Sequence, residues 1–233
     1  MRGQKKSLNT RRLTKKQVAT LIASEGEHHP DYTARLEHTY RTGSKSQPQV
    51  YSLPGSRILY VHDDIGSTKG RGDIYPAEYF ARFVRWVERV RNPSIPNGSV
   101  DHWYHFSRHK ASILGHESEL VNELEQLVGC ALDGSYGSLD AVSAFAEAQG
   151  FEEVIAHIYD HLVIYAGVVL IGRVRGSWHL EQRWGRTSPF VKAADGRVLM
   201  PINVVWENLD GLDPIDLRRS AANEVRRTAA KRL

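Results

Sequence analysis

The residues best spaced for chemistry are His157 and His161 in the run His157-Ile158-Tyr159-Asp160-His161. Histidines four apart on a helix share a face and can hold one metal, as in the two-histidine helical motifs of zinc hydrolases. The glutamate that serves those motifs as general base is missing, and a third ligand would come from elsewhere, with His116-Glu117 and His62-Asp63-Asp64 as the donors on offer. The histidine face continues into Ile164 and Val168, the pattern of a partly buried flank of a core helix, and Asp160 falls opposite the apolar stripe. The expectation is therefore structural histidines and neither metal nor cofactor, with His157 and His161 as the metal alternative.

A second concentration is Asp101, His102, Trp103, Tyr104 and His105, followed by Arg108, His109 and Lys110. General-base candidates mixed with stacking surfaces and cations suit an RNA-binding or nuclease face. The same residues suit a strand in which His102, Tyr104 and Phe106 share one face and Trp103 and His105 the other. Gly66 to Asp73 offers backbone amides and two cations but lacks the order of a Walker loop, so it reads as a surface loop. Cys130, the single cysteine, has no adjacent histidine and reads as a small buried hydrophobe. Neither Ser135 nor Ser138 lies in a nucleophile elbow, and both read as helix initiators. No residue is assigned a catalytic role.

Charge supplies the remaining candidates. The net charge is +4 and the isoelectric point about 9.2. Residues 1–16 hold seven cations and no acid, and residues 218–233 hold six cations against Glu224 alone. Between them, 18 lysines and arginines face 26 acids, so the body carries −8. Lys5, Lys6, Arg11, Arg12, Lys15 and Lys16 at one end, and Arg218, Arg219, Arg226 and Arg227 at the other, are the candidates for gripping phosphates or another anion.

The elements that must position these groups follow from periodicity. Thr14 caps a short helix carrying Val18, Leu21 and Ile22, and a second short helix around Tyr32, Leu36 and Tyr40 stops at Gly43. Residues 44–49 read as loop. The runs 49–53 and 57–61 flank Pro54-Gly55 as a hairpin, with Ile58 and Tyr60 facing opposite to Leu59 and Val61. A helix over about 76–91 presents Phe80, Phe83, Val84, Val87 and Val90 on one face. Turn formers at 92–99 mark a boundary. Helices then carry Leu120, Leu124 and Leu127, then Leu139 and Val142, and a long central helix spans about 151–171. Three short strands around Trp178, Phe190 and Val198 follow, with Asp195-Gly196 as a turn. Asp213-Pro214 opens the last helix. The fold class is α+β, in three parts: a basic N-terminal arm with a short helix (1–30), an N-terminal α+β part (31–98), and a C-terminal helical core with a small antiparallel sheet (99–233).

Asp133, Ser135, Ser138 and Leu139, then Tyr165, Gly167, Val169 and Leu170, then Gly176 and Trp178, then Pro201 and Ile202 stand in a recurring order. On these residues the stretch of about 133–212 resembles a loosely defined group of uncharacterised bacterial domains with the pattern D-x-S-x-x-S-L, aromatic-x-G-E-V-L, G-G-x-W and a later P-F or P-I. Val168 stands where that pattern has glutamate. The resemblance implies an α+β domain, a bacterial or phage source, and an association with toxin, immunity and defence loci.

With 233 residues and 41% hydrophobic content the chain can bury a core. No apolar run reaches a membrane span, the start lacks the apolar middle of a secretory signal, and one cysteine excludes zinc sites built on several thiolates. A soluble cytoplasmic protein without a membrane partner is expected. Two functions fit: a non-catalytic protein-binding component of a bacterial complex or of an immunity or defence system, or a nucleic-acid-binding factor or small nuclease that grips phosphates with its basic termini.

Overall fold

A computed structural model describes residues 11–36, 48–62, 70–92, 98–183, 186–209 and 211–230. The chain divides into two units, Met1–Pro93 and Ser94–Leu233, and its architecture is α+β.

In the N-terminal unit the order is β1 (Arg11–Leu13), α1 (Lys15–Glu25), β2 (Glu27–His28), α2 (Pro30–Leu36), β3 (Gln49–Leu53), β4 (Arg57–Val61), β5 (Gly72–Pro76) and α3 (Ala77–Arg91). The strands form one antiparallel sheet in the order β1-β5-β4-β3-β2. Alternation along β4 decides both faces. Ile58 and Tyr60 join Leu36, Val50, Phe80, Val84 and Val87 under α2 and α3, whereas Leu59 and Val61 join Leu13, Val18, Leu53 and Ile74 under α1. The β3–β4 hairpin turns through Gly55 at φ +74° and Ser56 at φ +53°, and Arg57 Nε donates to the carbonyl of Pro54 across the turn at 2.8 Å. Thr14 caps α1 in a reciprocal capping box with Gln17.

Several expectations change here. Arg11 and Arg12 do not belong to a free arm; they lie in β1, paired with β5. Strand β5 arises inside the stretch read as a surface loop. Its glycine is needed, because a Cβ on Gly72 would stand 2.8 Å from the carbonyl oxygen of Tyr60. Val90, placed on the apolar face of α3, is 50% exposed at the helix end. The stop at Gly43, the loop at 44–47, and Gly66 to Lys69 lie outside the described residues.

The C-terminal unit runs through α4 (Ser99–Phe106), a 3₁₀ helix (Lys110–His116), α5 (Glu117–Val128), α6 (Ser138–Gln149), α7 (Phe151–Glu153), a π-helical turn (Val154–Ile158), α8 (Tyr159–Val174), β6 (Ser177–Arg183), β7 (Arg186–Lys192), β8 (Val198–Leu199), α9 (Pro201–Leu209) and α10 (Leu217–Ala230). Helix α8 is the spine: Tyr159 through Gly167 are all buried, because α5, α9, α10 and β7 pack around it. This explains a composition apolar on every side. The continuous helical run Phe151–Val174 is long and apolar enough to cross a membrane by length and composition, with mean hydropathy 1.8, yet 72% of that window is buried within the protein itself.

The segment 99–106 is a helix, not a strand, with His102 and Trp103 buried and Tyr104 and His105 exposed. Helical spacing lets the two aromatics at 102 and 103 and Phe106 turn inward together, which strand alternation would forbid. The three C-terminal strands form an antiparallel sheet in the order β6-β7-β8, with Gly196 at φ +82° in the expected turn. Helix α10 begins three residues later than Asp213-Pro214 proposes. Asp216, not Asp213, accepts the Arg219 amide at 2.8 Å and serves as its cap.

Candidate functional site

The chemistry-bearing residues of the C-terminal unit gather around the π-helical turn. A π turn adds a residue to the helical repeat and changes the helix phase across it. Its effect is visible at the two histidines: His157 is exposed, whereas His161 is 9% exposed and faces α5. His161 Nε2 lies 2.8 Å from Glu123 Oε2 of α5. The Arg108 guanidinium reaches the π turn from the loop after α4, donating to the carbonyl of Ala156 and to His157 Nδ1 at 2.9 Å. Because an arginine only donates, His157 Nδ1 is the acceptor and its neutral form carries the proton on Nε2.

Asp160 anchors the same loop from below. Its Oδ2 accepts the backbone amides of Arg108 and His109, each at 3.0 Å. Contrary to the expectation of a solvent-side residue, Asp160 is 5% exposed. A buried carboxylate needs such donors, and two amides from one loop also fix that loop. Lys110 then adopts φ +45°, with its amide on Ser107 Oγ at 2.9 Å. The loop sets the ring of His109 against that of His116, centroids 4.2 Å apart. His116 Nδ1 lies 2.9 Å from Glu119 Oε2, a hydrogen bond that holds the Glu119 carboxyl below its usual range. The Tyr159 hydroxyl, Asp160 Oδ1 and His161 Nδ1 are buried without a hydrogen-bond partner among the described residues. Burial pushes the Tyr159 hydroxyl far up, with the neighbouring Asp160 charge adding to it.

The arrangement has the ingredients of acid–base chemistry, but His157 Nδ1, His161 Nε2, His116 Nδ1 and Asp160 Oδ2 are each turned toward another protein group. His157 and His161 point to different partners, and among the described residues no group of three or more His, Cys, Asp or Glu is arranged to hold a metal ion. Of the proposed third donors, His116 lies on Glu119, and His62 Nε2 lies 2.7 Å from Asp73 Oδ2 in the N-terminal unit; Asp63 and Asp64 lie outside the described residues. Tyr104, exposed on α4, has Lys110 Nζ 4.8 Å and the Arg186 guanidinium carbon 5.1 Å from its ring centroid. Arg186 is also paired with Asp101.

The anion-binding candidates divide. On α10, Arg218 pairs with Asp140 at 2.8 Å, Arg219 with Asp213 and Asp216 at 3.6 and 3.7 Å, and Arg227 with Glu207 and Glu224. Arg226 donates to Asn223 at 2.5 Å. All four are thus engaged by their own chain. Arg12 is 78% exposed at its side chain and 3.6 Å from Asp73, and Lys15 and Lys16 are exposed in the first turn of α1. Lys5 and Lys6 lie outside the described residues. Sequence reasoning overlooked Arg82, Arg85 and Arg89, whose i, i+3, i+7 spacing puts three guanidinium groups along one side of α3. It also overlooked that charge follows the unit boundary: Met1–Pro93 has 17 lysines and arginines against 9 acids, Ser94–Leu233 has 14 against 18.

Asp133, Ser135, Ser138 and Tyr165 are linked by hydrogen bonds. Asp133 Oδ1 accepts the Ser135 amide at 2.9 Å, and the Ser135 hydroxyl, then this amide, lower the Asp133 carboxyl. Ser135 Oγ accepts the amides of Gly137 and Ser138. Ser138 Oγ donates to the Ser135 carbonyl and lies 2.5 Å from the Tyr165 hydroxyl, which itself accepts the Gly134 amide. Pro201 and Ile202 are buried at the start of α9. Val168, in the glutamate's place, packs at the rim of the core against Gly134. Cys130 is exposed, not buried; it follows Gly129, which ends α5 at φ +76° and turns the next residues outward. It sits beside a shallow surface concavity lined by Asn122, Glu125, Gln126 and Ala131.

No protein-family description matches this chain, and comparison with curated proteins and with solved structures returns no match.

Proposed function

We propose that the protein is a non-catalytic protein-binding component of a bacterial complex or of a conflict system of the immunity or defence type. The observation that supports this most is helix α5, which carries Glu117, Glu119, Glu123 and Glu125 and no lysine or arginine. Its outer surface adds Leu127, 50% exposed. Carboxylates around an exposed apolar residue suit a basic protein surface, since opposite charge steers encounter and a buried apolar contact holds it. The engagement of His161, Asp160 and Arg108 in holding elements together agrees with a binding rather than a reacting surface.

The test is purification of the untagged protein from its host, with bound protein, nucleic acid and metal quantified together. The expected result is a stoichiometric protein partner that Glu119→Lys combined with Leu127→Ser releases. Nucleic acid as the sole companion, removed by high salt, overturns the reading.

A second reading has its own observation. The excess of eight cations in the N-terminal unit, with Arg12, Lys15, Lys16 and Arg85 exposed, supports a nucleic-acid-binding factor that uses this unit. In that case affinity falls steeply with salt, and Lys15→Glu with Lys16→Glu weakens it whereas Arg218→Ala does not.

A further inference from the structure

His62 stands just past the end of β4, held by one of its ring nitrogens. Arg12, Asp73 and Tyr60 form one row across β1, β5 and β4, and His62, two residues beyond Tyr60, falls on the same face of the sheet. Asp73 is 7% exposed. Its Oδ2 lies 2.7 Å from His62 Nε2 and its Oδ1 3.6 Å from Arg12 Nε, so one buried carboxylate sets an imidazole and a guanidinium side by side. The His62 ring also stands edge-on to Tyr60, with centroids 5.1 Å apart. A deprotonated carboxylate only accepts, so in the neutral ring Nε2 carries the proton and Nδ1 presents its lone pair. Among the described residues Nδ1 has no partner, and the side chain is 22% exposed. Cations surround this acceptor. The β4–β5 ladder continues one bond past the strands, the His62 N–H donating to the Arg71 carbonyl at 2.9 Å, which puts the exposed Arg71 beside His62. A Cβ on Gly70 would stand 3.5 Å from Lys15 Cγ, so the Lys15 stem lies over the neighbour of Arg71. Neither Arg71 nor Lys15 has an ion-pair partner among the described residues.

The two kinds of group ask for different ligand atoms. Guanidinium and ammonium groups take phosphate oxygens, whereas an outward lone pair takes a hydroxyl hydrogen. A ribonucleotide chain offers both on each residue, and DNA lacks the hydroxyl. We propose that this rim binds RNA in preference to DNA, with Arg12, Arg71 and Lys15 on backbone phosphates and His62 Nδ1 accepting the 2′-hydroxyl of one ribose. The inference rests on the second reading above, for which it names the nucleic acid and the residue that discriminates.

The experiment uses the full chain with a labelled single-stranded oligoribonucleotide, the deoxyribonucleotide of the same sequence, and the 2′-fluoro ribonucleotide, which keeps the ribose shape but has no hydroxyl to donate. Anisotropy titrations at fixed salt are expected to give RNA an affinity about three- to tenfold above DNA, the size of one hydrogen bond. The 2′-fluoro chain, a comparison that needs no variant, should bind like DNA. His62→Phe, which keeps a ring but no acceptor, should bring RNA down to the level of DNA and leave DNA where it is, with unchanged circular dichroism. Arg71→Ala should weaken both and lower the slope of log affinity against log salt by about 1. Equal binding of RNA and DNA overturns the proposal and leaves the second reading standing, whereas failure to bind either overturns both. A preference that survives in the 2′-fluoro chain, or in a folded His62→Phe variant, also overturns the proposal.

Discussion

The indole of Trp178 in β6 lies directly on Gly167 of α8: a methyl group at Gly167 would stand 1.9 Å from the nearest ring carbon. The helix and the sheet approach closely because that glycine has no side chain. Beside it, Gly176 lets β6 leave the helix past β7, where a Cβ would stand 2.7 Å from the Lys192 carbonyl oxygen. The spacing Gly167, Gly176, Trp178, which reads as a motif in sequence, is thus a packing contact in space.

Gly167→Ala should destabilise the protein by about 2–3 kcal/mol in spite of alanine's better helix propensity, because the clash is with a rigid ring in the core. Trp178→Leu alone should also cost stability, and the double variant should recover part of the loss, giving a non-zero coupling in a denaturant-unfolding cycle. Strict additivity would mean that the two residues do not touch.

Asp160→Ala should cost about 2–3 kcal/mol, since it leaves the amides of Arg108 and His109 without their acceptor in a buried place. Amide hydrogen exchange over Ser107 to Lys110 should rise well before global unfolding. An unchanged exchange pattern would assign the order of this loop to other contacts.

A pH effect belongs to the N-terminal unit. Arg35 of α2 grips Glu88 of α3 with two bonds of 2.7 Å, and Arg91 donates to the carbonyls of Arg35 and Leu36. The bond from Arg35 lowers the Glu88 carboxyl below its ordinary value of 4.5, against a smaller opposing effect of burial. A lowered carboxyl contributes stability above its unfolded value and loses it as pH falls through the folded one. Both side chains are about a third exposed or more, so Glu88→Gln should cost only about 0.5–1 kcal/mol at pH 7. The gap between variant and parent should narrow as pH falls below 4.5 and through the lowered value of Glu88. A gap that stays constant over the whole acid range would point to packing instead of charge.

The histidine pair separates by partner. Adding zinc should leave the melting temperature unchanged, and His157→Ala should stay within about 0.5 kcal/mol of the parent, as an exposed side chain does. His161→Ala, which removes a buried ring and leaves Glu123 without its contact, should cost about 2 kcal/mol. A zinc-dependent rise in melting temperature, lost in both variants, would restore the metal site.

What the sequence determined by itself is whatever depends on neighbours along the chain. Alternation in β4 told which side chains face which layer, the 3.6-residue period located α3, α5, α6 and α8, and Thr14 and Asp195-Gly196 marked a cap and a turn. These are local consequences of backbone geometry and of which side chains avoid water. Tertiary structure alone decided the rest. Strands β1, β2 and β5 are short and polar and exist because a partner strand completes their hydrogen bonds. The segment 101–106 reads as a strand by alternation, and it is a helix because His102 and Trp103, adjacent in sequence, are both buried. The single extra residue of the π turn parts His157 from His161, and only contacts with Arg108 and Glu123 make that visible. The arginines of α10 look like a bare cationic face in sequence, but Arg218 meets Asp140, 78 positions away, and Arg227 meets Glu207, 20 positions away, and only folding brings these acids within bonding distance.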